Sequence, residues 1–94
     1  MYNPSNLGLA YRAGKLVYGV EMSVKAIQNK SAKLVIIAED ASENTVKKIT
    51  DKAKYYQIDY MINFDSNTLS TSIGKINIKV VCLIDEGFKK MFTQ

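Results

Sequence analysis

Two uninterrupted apolar segments limit most strongly what this chain can fold into. Residues 34–38 read Leu-Val-Ile-Ile-Ala, and residues 80–84 read Val-Val-Cys-Leu-Ile. The first segment lacks the alternation of apolar and polar residues that marks a half-exposed strand, so it predicts a central parallel strand with both faces covered. The second segment, extended back to residue 79, predicts the last core strand. Helices must cover both faces of such a sheet, which indicates an α/β sandwich.

Helical and extended patterns alternate along the rest of the chain. The predicted helices run from Asn3-Pro4 to Gly14 and over about 20–29, 42–56, 65–74 and 85–91, and the further strands lie at 16–18 and 60–62. In the third helix, for example, Val46, Ile49 and Ala53 recur every three or four positions and form one apolar face. We therefore expect a single domain spanning residues 1–94, with about four strands.

Composition excludes several kinds of site. The chain contains no histidine and one cysteine, so a structural zinc site is excluded in practice and no intramolecular disulfide can form. Cys82 lies inside an apolar segment and is predicted to be a buried, unreactive thiol. Neither a GxxxxGKS/T nor a GxGxxG phosphate loop occurs, and we expect no cofactor.

Charge and hydropathy bear on partners and location. The net charge of +4 is a modest basic excess, which favours a polyanionic partner such as RNA. No apolar run approaches the roughly 20 residues that span a bilayer. The first residues lack the basic start and apolar core of a signal peptide. These features predict a cytoplasmic protein without membrane contact.

A glycine separates the first predicted strand from the second helix. The first turn of a helix presents unpaired N–H groups and the positive end of its dipole, so Gly19 opens a candidate anion site. Lys25, on the same helix, is placed to reach a phosphate. Alternatively, Glu21 and Lys25 form an ordinary surface ion pair four residues apart, and Gly19 only ends the strand.

An acidic pair follows the central strand. Glu39 and Asp40 stand at its carboxyl end, where open α/β sheets place ligands, so they could bind a metal or act as acid and base. The alternative is structural, because Asp40 and Glu43 have the spacing of a capping box at the start of the third helix.

Two further surfaces carry residues suited to nucleic acid. The predicted loop Lys75-Ile76-Asn77 combines a cation with an exposed isoleucine that suits an unpaired base, or is only a connection into the last strand. The lysines of the third helix, with Asp51 among them, predict a solvated face or, alternatively, a track for phosphates. Tyr55 and Tyr56 are a candidate stacking platform, although Tyr56 also continues the apolar face of that helix.

Two long segments then indicate a family. AGKLVYGVEMSVKAIQNKSAKLVIIAEDAS (13–42) and TVKKITDKAKYYQIDYMINFDSNTLSTSIGK (45–75) resemble the kink-turn RNA-binding ribosomal proteins, the L7Ae, L30e and S12e group, and most of all its small bacterial YlxQ-type members. The resemblance implies a three-layer α-β-α sandwich with a mixed four-stranded sheet. It also implies a cytoplasmic, non-enzymatic protein that binds structured RNA, ribosomal or kink-turn-like, in or near the ribosome. We expect a monomer, with ribosomal or translation-factor proteins as further partners.

In this family a helix N-terminus enters the RNA groove beside sheared G·A pairs, and a loop after the fourth helix contacts the flipped-out base. By resemblance, Gly19 matches the family's glycine, Lys25 its basic residue, Glu39-Asp40 its acidic pair and residues 75–77 its base-contacting loop. The residues predicted to contact RNA are Lys15, Gly19, Val20, Glu21, Met22, Lys25, Glu39, Asp40, Lys75, Ile76 and Asn77.

Three residues depart from the family pattern. Glu21 stands where Asn or Lys would donate to guanine, and a carboxylate can only accept there. Met22 offers no hydrogen bond, and Ser70 replaces a glycine in the fourth helix. These departures favour, as an alternative, a protein-interaction adaptor on the same fold with weakened kink-turn recognition, since methionine suits adaptable apolar contacts. A carboxylate hydrolase at Glu39-Asp40 is a third, weaker hypothesis.

Overall fold

The two apolar segments form the centre of a mixed sheet in the computed structural model, which describes residues 2–93. The helices are α1 (Ser5–Arg12), α2 (Val20–Gln28), α3 (Glu43–Tyr55), α4 (Ser66–Ser72) and α5 (Glu86–Lys90), and the strands are β1 (Leu16–Tyr18), β2 (Leu34–Ile37), β3 (Asp59–Ile62) and β4 (Val80–Leu83). Each predicted helix and strand is present, with its ends within a few residues of the prediction.

The strands lie in the order β1-β4-β2-β3. β4 is antiparallel to both neighbours, and β2 and β3 are parallel. Every residue of the two central strands, β2 and β4, is buried, as expected where both faces of a sheet are covered. The mixed four-stranded sheet is thereby confirmed.

Helices form a layer on each face of this sheet. Because side chains alternate along a strand, Leu34 and Ile36 face one layer while Val35 and Ile37 face the other. Two clusters of buried residues lie between the sheet and these layers. The first, on the face of Leu34 and Ile36, contains buried residues of α1 and α4 together with Phe92. The second, on the face of Val35 and Ile37, contains buried residues of α2 and α3. The three-layer α-β-α sandwich is confirmed.

Cys82 is buried in the second of these clusters. Burial in apolar surroundings disfavours the thiolate and raises the pKa of the Cys82 thiol to about 12. The thiol is therefore protonated at neutral pH, and the prediction that Cys82 is buried is confirmed.

One predicted cap is wrong. α3 begins at Glu43 and is capped by Ser42, whose Oγ accepts a hydrogen bond from Thr45 N at 3.2 Å. The capping box required Asp40 to cap this helix. A turn closed by the bond from Ala41 N to Ala38 O, at 3.1 Å, places Asp40 before the helix instead. The Asp40 carboxylate is therefore free to contact another element.

Candidate nucleic-acid interface

Three helices begin along one edge of the sheet. Since β4 runs against β1 and β2, its first residue lies beside their last ones, and β3 ends there too. Gly19 N donates to Val80 O at 2.8 Å, and Ala38 N donates to Lys79 O at 2.8 Å. We call this end of the sheet, where β1, β2 and β3 finish and β4 begins, the upper edge. The amino ends of α2, α3 and α4 lie there, which brings Gly19, Glu39 and Asp40 to the same end of the sheet.

Gly19 joins β1 to α2 in a conformation that other residues rarely adopt. Its φ is 90° and its ψ is 158°. A Cβ atom built on Gly19 would meet no heavy atom within 4 Å. Glycine is therefore required by the backbone angle rather than by crowding. The open space in front of it leaves room for a partner to approach the backbone closely.

No side chain caps the first turn of α2. Its two neighbours at the upper edge are capped: Ser42 accepts from Thr45 N in α3, and Asp65 accepts from Thr68 N in α4 at 2.7 Å. The first N–H groups of a helix have no partner within the helix. At α2 they remain available, together with the positive end of the dipole, to an anionic or acceptor group.

The expected ion pair between Glu21 and Lys25 is absent. Both side chains are exposed, and the ion pairs in residues 2–93 join other residues. Those pairs are Lys47–Asp51, Lys79–Asp40 and Lys89–Asp59. Lys25 follows the start of α2 by about 7.5 Å along the helix axis, at 1.5 Å per residue. It is thus a solvated cation beside the uncapped turn.

A buried serine shapes the loop at 75–77. Ser70 Oγ accepts from Ile78 N at 2.8 Å and donates to Ser66 O at 2.6 Å. Ser70 O also accepts from Lys75 N at 2.8 Å. Ser70 therefore holds both ends of the loop against α4. The sequence marked this residue only as a departure from the family pattern, because nothing local shows that its partner lies eight residues ahead.

The loop presents an apolar side chain to solvent. Ile76 is 87% exposed, more than any other large hydrophobic residue of the described chain. Asn77 adopts a φ of 60°, a left-handed angle that asparagine tolerates. A cleft of about 290 Å³ runs between this loop and the beginning of α4. An extruded base would find an apolar contact and polar groups side by side there.

Lys75 lies against two aromatic rings. Its Nζ is 5.7 Å from the centroid of the Tyr11 ring and 5.6 Å from that of Tyr18. The two rings are themselves in edge contact, with centroids 5.8 Å apart. Interaction with Tyr11, and less with Tyr18, raises the pKa of Lys75 above its usual value. Lys75 thus keeps its charge and ties the loop to α1 and β1, a role that the sequence did not reveal.

Asp40 contacts the start of α4 rather than that of α3. Its carboxylate accepts from Ser66 N at 2.8 Å and from Ser66 Oγ at 2.7 Å. Lys79 Nζ donates to Ser66 Oγ at 3.2 Å and lies 3.9 Å from Asp40 Oδ2. These bonds from Ser66, with a smaller contribution from Lys79, lower the pKa of Asp40. Its oxygens are engaged, which counts against an acid–base role.

The remaining predicted residues lie apart or carry no special chemistry. Lys15 is at the far end of β1 from Gly19, since its carbonyl accepts from Ile84 N at 2.9 Å. At about 3.3 Å per residue, the four residue steps from Lys15 to Gly19 span about 13 Å. Glu39 is exposed at the upper edge. Among residues 2–93, no group of three or more acidic, Cys or His residues is placed to hold a metal ion. RNA contact by Lys15 and Glu39 stays a prediction.

The exposed face of α3 fits a solvated surface. Lys47 and Asp51 form an exposed ion pair at 3.0 Å. Tyr55 is 79% exposed, whereas Tyr56 packs against the core as its place in the apolar face predicted. No helix within residues 2–93 is long and apolar enough to span a membrane.

The fold and this edge define a small three-layer α/β sandwich with an open helix start beside an exposed loop. The chain belongs to the ribosomal protein L7Ae/L30e/S12e/Gadd45 family, whose model matches residues 4–92. The match confirms the family resemblance found in the sequence and covers almost all of the chain.

Individual relatives agree with this assignment. The RNA-binding protein YlxQ of Bacillus subtilis is 49% identical over 82 residues, which are 87% of this chain and 82% of that protein. A solved structure of a Bacillus halodurans protein of unknown function superimposes with a TM-score of 0.89 at 41% identity, covering 95% of this chain and 91% of that one. The Giardia lamblia 15.5kD RNA binding protein superimposes with a TM-score of 0.78 at 15% identity, covering 94% of this chain and 76% of that one, which shows the fold alone.

Proposed function

We propose that this protein is a non-enzymatic RNA-binding protein, associated with the ribosome or with translation, that binds structured RNA of the kink-turn type. The observation that carries the proposal is the start of α2, which is uncapped, follows an obligate glycine and lies on the same edge as the start of α4, where exposed Ile76 lines a cleft. Membership of the ribosomal protein family supports it, as does the similarity to the RNA-binding protein YlxQ of Bacillus subtilis.

Binding at this edge would use complementary kinds of contact. The free N–H groups after Gly19 donate to phosphate or base acceptors, and the missing Cβ permits close approach of the RNA. Lys25 neutralises a backbone phosphate and releases a counterion, so affinity falls as salt rises. Ile76 covers the face of an unstacked base, and single-stranded features of this kind are what RNA-binding proteins commonly recognise.

Glu21 alters which base edge this helix can read. A carboxylate accepts hydrogen bonds, so it is poorly matched to the N7 and O6 acceptors of guanine and better matched to an amino group such as N4 of cytosine. Met22 is 48% exposed and contributes only apolar contact. We therefore propose an RNA that keeps the kink but differs from the usual one at the base beside Glu21.

The adaptor hypothesis remains the second candidate, and the exposure of Glu21 and Met22 favours it. It predicts affinity for a ribosomal or translation-factor protein and only non-specific RNA binding. On the first proposal, the protein acts as a cytoplasmic monomer without a cofactor, as the sequence leads us to expect.

The test compares two lysine variants on two RNAs. Fluorescence anisotropy would measure binding to a hairpin containing a kink-turn and to a straight duplex of the same composition, across a range of salt. Lys25→Ala should weaken binding to the kinked RNA and reduce the salt slope by about one phosphate contact. Lys54→Ala is the control, because Lys54 is also exposed but lies at the far end of α3. Equal affinity for the two RNAs would contradict kink-turn recognition, and equal slopes for the two variants would remove Lys25 from the site.

A further inference from the structure

β1 is an edge strand with an open side. Within residues 2–93 it pairs only with β4, so its other side has no strand neighbour in the described part of the chain. The other edge strand, β3, begins at Asp59, whose carboxylate is held by Lys89 of α5 at 2.9 Å. Charged groups at an edge oppose the addition of a further strand. The β1 side lacks such an ion pair among residues 2–93.

The register shows which backbone groups face outward. Ile84 N donates to Lys15 O and Gly19 N donates to Val80 O, at the two ends of the β1–β4 ladder. Hydrogen-bonded pairs alternate along an antiparallel ladder, so Val17 pairs with Cys82 between them. The N–H and C=O groups of Leu16 and Tyr18 therefore point to the open side.

A cleft follows that open side. It measures about 310 Å³ and is lined by Leu16, Val17, Tyr18 and Met22. Successive side chains of a strand point to opposite faces, so a cleft that touches all three residues of β1 runs along its edge rather than over one face. The lining is largely apolar, and the flexible side chain of Met22 can adapt to varied partners.

We propose that the open edge of β1 binds an extended apolar segment of a partner protein, which adds a fifth, antiparallel strand to the sheet. Only an extended backbone presents N–H and C=O groups at the spacing that Leu16 and Tyr18 require. Exposed Lys15 stands before β1 and exposed Glu21 stands after it. In the antiparallel direction, the matching segment is basic at its amino end, apolar in the middle and acidic at its carboxyl end.

In the register that uses both Leu16 and Tyr18, the same charges argue against a second copy of this chain. Two β1 strands that exchange hydrogen bonds between Leu16 and Tyr18 would pair around Val17. That register sets Lys15 opposite Gly19 and Glu21 beyond the end of the partner strand, so neither charge meets an opposite one. A partner segment with the stated charges satisfies both. The proposal concerns protein binding at the strand edge and does not depend on RNA binding at the start of α2.

The test uses the full chain, labelled with ¹⁵N, and the synthetic peptide acetyl-Thr-Lys-Val-Ile-Val-Glu-Thr-amide. Its two valines would bond to Tyr18 and Leu16, and its isoleucine would lie opposite Val17. We expect saturable chemical-shift changes on β1, and slower amide exchange at Leu16 and Tyr18 but not at Val17. A peptide with both valines N-methylated should bind about tenfold more weakly or worse, because two hydrogen bonds are lost. A peptide N-methylated at the isoleucine should retain its affinity.

A protein variant complements the modified peptides. Val17→Lys places a charge in the cleft while the backbone bonds to β4 remain, so it should weaken peptide binding at least about fivefold. Because Val17 also packs against the core, the ¹⁵N spectrum of the variant checks that the domain stays folded. No shift up to about 1 mM peptide, equal binding of both methylated peptides, or protection at β3 instead of β1 would overturn the proposal. If amide exchange at Leu16 slows as protein concentration rises, without any peptide, the occupant of the β1 edge is a second copy of this chain rather than a partner segment. RNA affinity is measured separately, so either proposal can fail alone.

Discussion

Asp40 accepts hydrogen bonds from both the backbone N–H and the hydroxyl of Ser66, 26 positions further along the chain. The contact joins the end of the central strand to the start of α4. Since α4 carries the loop at 75–77, this carboxylate helps to set where Ile76 stands. A residue that the sequence offered as a metal ligand or catalytic acid is thus a structural link between two parts of the candidate interface.

The first prediction concerns pH. The pKa of Asp40 is lowered in the folded protein, so its contribution to stability is present above the pKa of the unfolded chain and is lost as pH falls through the lower, folded value. Asp40→Asn should therefore be less stable than the wild type at pH 7, and the difference should shrink below about pH 4, near the ordinary Asp pKa. Urea unfolding at pH 7 and pH 3 measures both differences. The control for loss of an exposed ion pair is Asp51→Asn. A destabilisation by Asp40→Asn that is equal at pH 7 and pH 3 would contradict the prediction.

The second prediction concerns the buried hydroxyl of Ser70. Ser70→Ala leaves the N–H of buried Ile78 without its acceptor, which should cost about 1–3 kcal/mol of stability. Exchange of the Ile78 amide should also become faster. Ser72→Ala is a matched control on the same helix, because Ser72 Oγ only donates to Thr68 O one turn earlier. Chemical denaturation and amide exchange of both variants test the point, and equal losses would show that Ser70 has no special role in the loop.

Local patterns were sufficient to predict the secondary structure. Continuous apolar segments predict the buried strands, and apolar residues at three- and four-residue spacing predict helices such as α3. Left-handed glycines mark helix ends well, as at Gly14, where φ is 73°. Such patterns involve residues close together in the chain, so they can be recognised without knowledge of the tertiary fold.

The site was harder to predict because its key contacts join distant residues. Asp40 had the spacing of a helix cap, but its carboxylate accepts from Ser66, which no local pattern identifies, and Ser42 caps α3 instead. Lys75 meets Tyr11 and Tyr18 across more than fifty positions. The spacing of Glu21 and Lys25 permits an ion pair but does not require one, because exposed pairs contribute little free energy.

The third prediction separates two glycines that have positive φ angles. Gly19 and Gly14 both have positive φ, of 90° and 73°, and a Cβ on either would meet open space. Substitution by alanine should therefore cost about 1–2 kcal/mol of stability at each site through backbone strain. Only Gly19→Ala should also weaken RNA binding, since its new methyl group stands before the uncapped turn of α2. Thermal unfolding and RNA titration of the two variants would show this, and equal RNA affinities would place the interface elsewhere.

The last prediction tests which exposed apolar surface meets RNA. Ile76→Ala should leave stability unchanged within about 0.5 kcal/mol, because the side chain is almost fully exposed. It should weaken binding to kink-turn RNA about fivefold, equivalent to about 1 kcal/mol of apolar contact with the unstacked base. Tyr55→Ala is the comparison, since Tyr55 is similarly exposed but ends α3 on the opposite side of the sheet. If Tyr55→Ala lowers RNA affinity and Ile76→Ala does not, the stacking platform on α3 replaces the loop as the base-contacting surface. If Ile76→Ala lowers RNA affinity and Tyr55→Ala does not, the unstacked base contacts Ile76, in the cleft that Ser70 and Lys75 also line at the start of α4.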